Sequence, residues 1–150
     1  MAGDLEKVRR LAAGDHGLAI VSTTRPDGTV HSSLVNAGVL DDSPLGGGPV
    51  VATVIRGGAR KLDYLRTTGT ATVTFRVGWD WVSVDGPIRV IGPDDPVDGF
   101  DPAGLPGLLR DIFTAAGGTH DNWAEYDRVM AAERRAAVLV TPRRIVANAS

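Results

Sequence analysis

The pattern of apolar and polar positions divides this chain into six or seven strand-like stretches and four short helical ones. Leu5, Val8, Leu11 and Ala12 recur at helical spacing, which predicts an amphipathic helix from Asp4 to Ala13, with Asp4 as N-cap and Gly14 as stop. Gly17–Thr24 (GLAIVSTT) reads as a strand. Arg25-Pro26-Asp27-Gly28 is a strong turn signal, with proline placed for the bend and glycine for a positive φ. Thr29–Gly38 (TVHSSLVNAG) then completes a hairpin, and Asp41–Pro49 (DDSPLGGGP) is a loop by composition.

The most informative stretch runs from Val50 to Phe75. Its β-branched run Val50–Ile55 predicts a strand that breaks at Arg56-Gly57-Gly58 and resumes as a short helix, Ala59 to Arg66. The chain turns at Thr68-Gly69 and re-enters a strand over Thr70–Phe75. A glycine pair lets the backbone turn sharply and approach a ligand, and a helix start offers unpaired N–H groups to an anion. Arg56, Arg60 and Lys61 stand beside that start. The pattern fits a phosphate seat and equally a solvated basic turn.

Further on, Trp81 to Ile91 predicts a long strand, interrupted at Gly86-Pro87 by a bulge or an edge position. Gly92–Pro106 is an Asp/Pro/Gly-rich connection. Leu108, Leu109, Ile112 and Phe113 place a helix over Leu105–Ala116, ended by Gly117-Gly118. Asp121 or Asn122 caps a second helix, Trp123–Arg135, with Trp123, Tyr126, Val129 and Met130 on one face. Ala136–Val140 is a last strand, interrupted by Thr141-Pro142 and continued by Ile145–Ala147. The early connections are too short for a parallel doubly wound sheet. The prediction is one mainly β (α+β) domain over residues 1–150: a six- or seven-stranded antiparallel barrel with short flanking helices.

Composition narrows the chemistry. With 150 residues, 43% apolar and 23% charged, the chain suits one globular domain. A formal charge of −2 gives no global field for nucleic acid or an anionic membrane. There is no cysteine, which removes disulfides, thiolate metal sites and thiol nucleophiles. The N-terminus lacks the apolar core of a secretory signal, and no apolar run nears the roughly 20 residues that span a bilayer. The expected compartment is the cytoplasm, with no membrane partner.

Candidate side chains for acid–base or metal chemistry are scattered. His16, His31 and His120 lie far apart, and Ser32-Ser33 beside His31 point to alternate faces of one strand without a nucleophile elbow. His31 reads as a strand residue with a satisfied ring, and His120 as a loop or capping residue. Neither has a partner at metal-ligand spacing, so no metal is predicted. Asp94, Asp95, Asp98 and Asp101 lack EF-hand spacing and read as a solvated linker. Trp79 and Trp81, two apart and so on one face of an extended strand, suit either ordinary packing or stacking on a flat heterocycle.

Four stretches carry a resemblance to a known family. They are IVSTTRPDGTVHSSLVNAG (Ile20–Gly38), ARKLDYLRTTGTATVTF (Ala59–Phe75), WVSVDGPIRVIG (Trp81–Gly92) and GGTHDNWAEYDRVMAAERRAAVLVTPRRIV (Gly117–Val146), with its His-x-x-Trp-x-x-Tyr spacing. The chain resembles the split β-barrel flavin and deazaflavin oxidoreductases of the pyridoxamine 5′-phosphate oxidase-like superfamily. Within it, the chain is most similar to a small actinobacterial branch that uses coenzyme F420. The resemblance implies that Arg60 and Lys61 bind the cofactor phosphate, that Val54 and Ile55 lie against its ring, and that Ser32 to Asn36 line its other side. Trp79, Trp81 and Val82 would sit near the ring or come from a partner subunit, in a homodimer with the cofactor at its interface. Ala59 stands where the family often has a hydroxyl residue, and Arg56 or Ser33 replaces that contact. The strong Gln/Arg signature of true pyridoxamine phosphate oxidases is missing after Trp81.

The implied activity is F420-dependent hydride transfer to a small conjugated or quinone-like substrate, with no catalytic side chain required because the cofactor does the chemistry. The alternatives are an FMN-dependent oxidoreductase and a non-catalytic flavin- or tetrapyrrole-binding barrel. The longer acidic tail of F420 needs extra cations, for which Arg56, Arg66, Arg134-Arg135 and Arg143-Arg144 are available.

Overall fold

Two tight hairpins, a third joined by the loop at residues 41–49, and three long-range strand pairs close one barrel. The computed structural model describes residues 2–149, with side chains from residue 5 on. The elements are α1 (Ala2–Gly14), β1 (Leu18–Thr24), β2 (Val30–Leu40), β3 (Val50–Ile55), α2 (Arg60–Thr68), β4 (Thr70–Val77), β5 (Asp80–Ile91), α3 (Leu105–Ala115), α4 (Trp123–Ala132), β6 (Ala136–Val140) and β7 (Arg144–Ala147). All pairings are antiparallel, and the ring runs β1-β2-β3-β6-β5-β4 and back to β1, with β7 added against β5. The predicted six- or seven-stranded barrel is present. Helix α1 begins at Ala2, so position 4 falls inside it; the capping role expected of Asp4 concerns a side chain outside the described residues.

Alternation explains the core. Val21, Val73, Phe75, Val82, Val84 and Val138 point into the barrel, where Leu5, Val8 and Leu11 of α1 and Leu62 and Leu65 of α2 join them. Each such side chain contributes roughly 1.5–3 kcal/mol when fully buried. Strands β3 and β6 are apolar but for Thr53, whose hydroxyl donates to Asn36 O, because both faces are covered. Val50, Ala52, Ala137 and Leu139 face outward onto Leu108, Leu109, Ile112 and Tyr126 of α3 and α4, a second core outside the barrel.

Four expectations are corrected. Residues 144–147 do not continue β6 but form a separate strand on β5. Thr141 N–H donates to Pro87 O and Arg143 N–H to Asp85 O, steering the chain sideways. That approach needs glycine at 86, where a Cβ would stand 1.8 Å from the Thr141 oxygen. Gly86-Pro87 is accordingly neither a bulge nor an edge: it is where β5 leaves β4 and joins β6, with pairing unbroken up to it and resuming just after. Helix α4 stops at Ala132, three residues early, and Arg134 adopts φ +50°. The acidic connection is not merely solvated: Asp95 takes a two-bond grip on Arg66 (2.9 and 2.6 Å), Asp94 pairs with Arg134, and Asp101 caps a single 3-10 turn at Pro102–Gly104.

Candidate functional site

Four cations meet where β3 leads into α2. Arg56 and Arg135 are the next residues beyond the last paired positions of β3 and β6, Ile55 and Ala136. The intervening turn is held by Gly57 N–H, which donates to Glu133 O at 3.1 Å, and by Ala59 N–H, which donates to Arg56 O at 3.1 Å. Gly57 has to be a glycine, because a Cβ there would lie 2.5 Å from the Arg134 oxygen. Ala59, at the N-cap of α2, provides no side-chain acceptor, so the first N–H groups of that helix face outward uncapped. Lys61, half-buried, donates to Ser33 Oγ at 3.0 Å. Burial, and then the charge of Arg135, push the Lys61 ammonium below the ordinary lysine range. Arg135 pairs with Glu133 at 2.9 Å. Among the described residues, Arg56 and Arg60 have no carboxylate partner.

Through Arg135 this corner adjoins a cavity of about 490 Å³, within the range that holds small-molecule ligands. Its strand wall is Asn36 and Val54; Phe113, Tyr126 and Met130 supply an apolar side; Arg135 links it to the corner. Tyr126 is fixed by donating its hydroxyl to Leu109 O at 3.1 Å, and burial raises its pKa. His120, Trp123 and Tyr126, the motif residues, pack with Phe113 as one aromatic cluster behind the cavity, with ring centroids 5.0–6.3 Å apart. His120 Nδ1 accepts from Asn122 N–H, and Asn122 caps α4. The cavity thus has one cation, Arg135, beside mixed apolar and amide walls.

Of the predicted site residues, the structure joins Lys61 to Ser33 by a hydrogen bond, places Arg56 and Arg60 on the same turn and helix start, and puts Val54 on the wall of the neighbouring cavity. It does not bring Ile55, which is buried inside the barrel, or the two tryptophans to this group. Ser33, Val21 and Val73 lie in one transverse row, and Trp79 is six residues further along, roughly 15–20 Å at the usual strand rise. Trp79 is in the Gly78-Trp79 hairpin turn and 94% exposed, so it does not share a strand face with Trp81, which lies on the outward side of β5. His31 is also unlike its expectation: its ring rests 5.6 Å from Tyr64, but its buried Nδ1 has no hydrogen-bond partner. No group of three or more potential metal ligands is gathered among the described residues, and no helix among them is long and apolar enough to cross a membrane.

Sequence reading missed the cavity lining on α3 and α4. The helical spacing of Ile112, Phe113, Tyr126 and Met130 was visible, but it marks a buried face without saying which part of that face borders empty space. Arg135 was visible only as one of several basic residues near the C-terminus.

No family model and no curated protein matches the chain. Solved structures do. A pyridoxamine 5′-phosphate oxidase-related, FMN-binding protein from Nostoc punctiforme superposes with a TM-score of 0.62 at 14% identity, over 96% of this chain and 79% of that one. The chain has the FMN-binding split-barrel fold. An F420 reductase shares this split barrel (TM-score 0.58, 12% identity, 86% and 88% of the two chains). So does the heme storage protein HutZ of Vibrio cholerae (TM-score 0.58, 8% identity, 95% and 92%).

Proposed function

We propose that this split barrel is an oxidoreductase that binds F420 and reduces a small conjugated or quinone-like molecule. The observation that carries the reading is the cation-rich turn of Arg56, Arg60 and Lys61 beside Arg135, which is paired with Glu133 and also lines a cavity of about 490 Å³. Lys61, Arg60 and the uncapped N–H groups of α2 hold the anionic end, with Ser33 fixing the Lys61 ammonium. Val54 and Asn36 form the wall for the ring, and Phe113, Tyr126 and Met130 keep water from it. When bound, the cofactor supplies the hydride; the chain supplies anchorage, orientation and a dry face.

FMN is the second reading, and one observation favours it. Arg66, Arg134 and Arg144, cations that a long acidic tail could use, are engaged by Asp95, Asp94 and Asp85. The barrel also exposes a row that crosses five strands, Leu34–Ile20–Thr74–Ser83–Val146, with Leu34 59%, Val146 46% and Ile20 40% exposed. This face suits a second copy of the chain, and Trp79, remote from its own corner, suits the cofactor of that copy. Absorption titrations of the purified protein with F420 and FMN test the reading. Saturable binding of either, with turnover of a quinone acceptor by the reduced form, is expected; no binding of either contradicts it.

A further inference from the structure

The linker between α1 and β1 holds a strained residue on the wall of the cavity. His16 has φ +57°, a left-handed conformation uncommon outside glycine, in which asparagine, aspartate and histidine are the side chains most often found. Gly17 follows at φ +71°, pressed so closely on α3 that a Cβ would lie 2.3 Å from the Ala116 oxygen. The bend is fixed on both sides: Asn36 Nδ2 donates to His16 O at 2.9 Å, and Gly17 N–H donates to Ala12 O at 2.7 Å. Glycine would serve this helix end at lower cost. A histidine kept there, on a cavity wall, points to use of its ring.

The other titratable side chains on that wall cannot exchange a proton near neutrality. A guanidinium such as that of Arg135 has no proton-accepting site to cycle, and Tyr126 is buried, raised in pKa and committed to Leu109 O. Histidine is the side chain whose ordinary titration falls in that range. Reduction of a conjugated carbonyl forms a C–H bond with a hydride and then needs a proton where the negative charge gathers, on the oxygen or the adjacent carbon. Both electrons arrive with the hydride of a reduced deazaflavin or flavin, so the chain has only the proton to give.

We propose that His16 is the proton donor of this reaction, an inference that rests on the oxidoreductase reading above. The imidazolium N–H bond breaks as the substrate O–H or C–H bond forms, and the neutral ring is reprotonated from solvent at the open mouth. The other charged side chain lining the cavity is Arg135, Tyr126 lines it with its pKa raised, and Asp15 precedes His16 in the chain.

The test uses the full chain with reduced cofactor and 2-cyclohexenone, comparing wild type with His16→Asn and His16→Gly, both of which suit the left-handed bend. The expected result is a melting temperature no lower than wild type, raised in His16→Gly, and unchanged cofactor affinity, with kcat at pH 7 lower by about 100-fold and its pH profile flattened. In addition, NMR titration of the wild-type His16 ring should shift when oxidised cofactor binds. Variants that keep the wild-type rate and pH profile, or a His16 resonance indifferent to cofactor, overturn the proposal. Wild type that binds neither F420 nor FMN removes the oxidoreductase reading, and this inference with it.

Discussion

Two groups of arginines in this molecule behave differently. Around the acidic connection, Arg66 is gripped by Asp95 and also meets Asp63 at 2.9 Å, and Arg134 is paired with Asp94. A few residues away, Arg56 and Arg60 have no carboxylate partner among the described residues, and Lys61 donates to the neutral hydroxyl of Ser33. Cations of the first kind tie a loop to α2 and to the end of α4. Lys61 is held below the ordinary lysine range first by its burial and then by the charge of Arg135. Positive charges gathered without counter-charges cost stability, which a bound anion recovers.

The strongest way to break this contrast is at the turn that creates it. Gly57→Ala forces a Cβ into the Arg134 oxygen. We expect a loss of about 1–3 kcal/mol of stability, read by urea denaturation, together with weaker cofactor binding. Substituting the unpaired cations comes next. Lys61→Ala and Arg60→Ala should each weaken cofactor affinity by roughly 1.5–3 kcal/mol, the range for hydrogen bonds to charged groups, with little change in melting temperature.

A pH series sharpens the contrast further. Because the folded-state pKa of Lys61 is lowered, its charge and the anion affinity are fully present at low pH. Both should decline as pH rises, starting earlier than an ordinary lysine at about 10.4 would allow. Stability of the free protein should show the opposite slope. Between the folded and unfolded pKa values the unfolded chain holds more protons, so this group's contribution rises with pH. The smallest effect is expected at the paired cations: Arg66→Gln should cost at most about 1 kcal/mol of stability and leave cofactor affinity unchanged.

Much of this was legible in the sequence. The strands β3 and β6 form over their predicted spans because six- and five-residue β-branched or apolar runs bounded by breakers leave little choice. The corner was legible for the same reason, since a glycine pair between a strand and a cation-bearing helix start admits few geometries. What stayed hidden was long-range. Nothing local says that Arg143 reaches Asp85 and turns residues 144–147 onto β5, or that Asp94 and Asp95 meet arginines 40 and 29 positions away. Trp79 and Trp81 misled for a related reason: their spacing implies one strand face only if both lie in the strand, and Gly78 at φ +59° puts Trp79 in the turn.

The most direct measurement is a set of parallel calorimetric titrations of F420 and FMN into wild type, Lys61→Ala and Arg66→Ala. The account predicts saturable binding of at least one cofactor to wild type, unchanged affinity in Arg66→Ala, and a 10- to 100-fold loss in Lys61→Ala, the factor equivalent to about 1.5–3 kcal/mol. Equal affinity in all three proteins, or a larger loss at Arg66 than at Lys61, would contradict it.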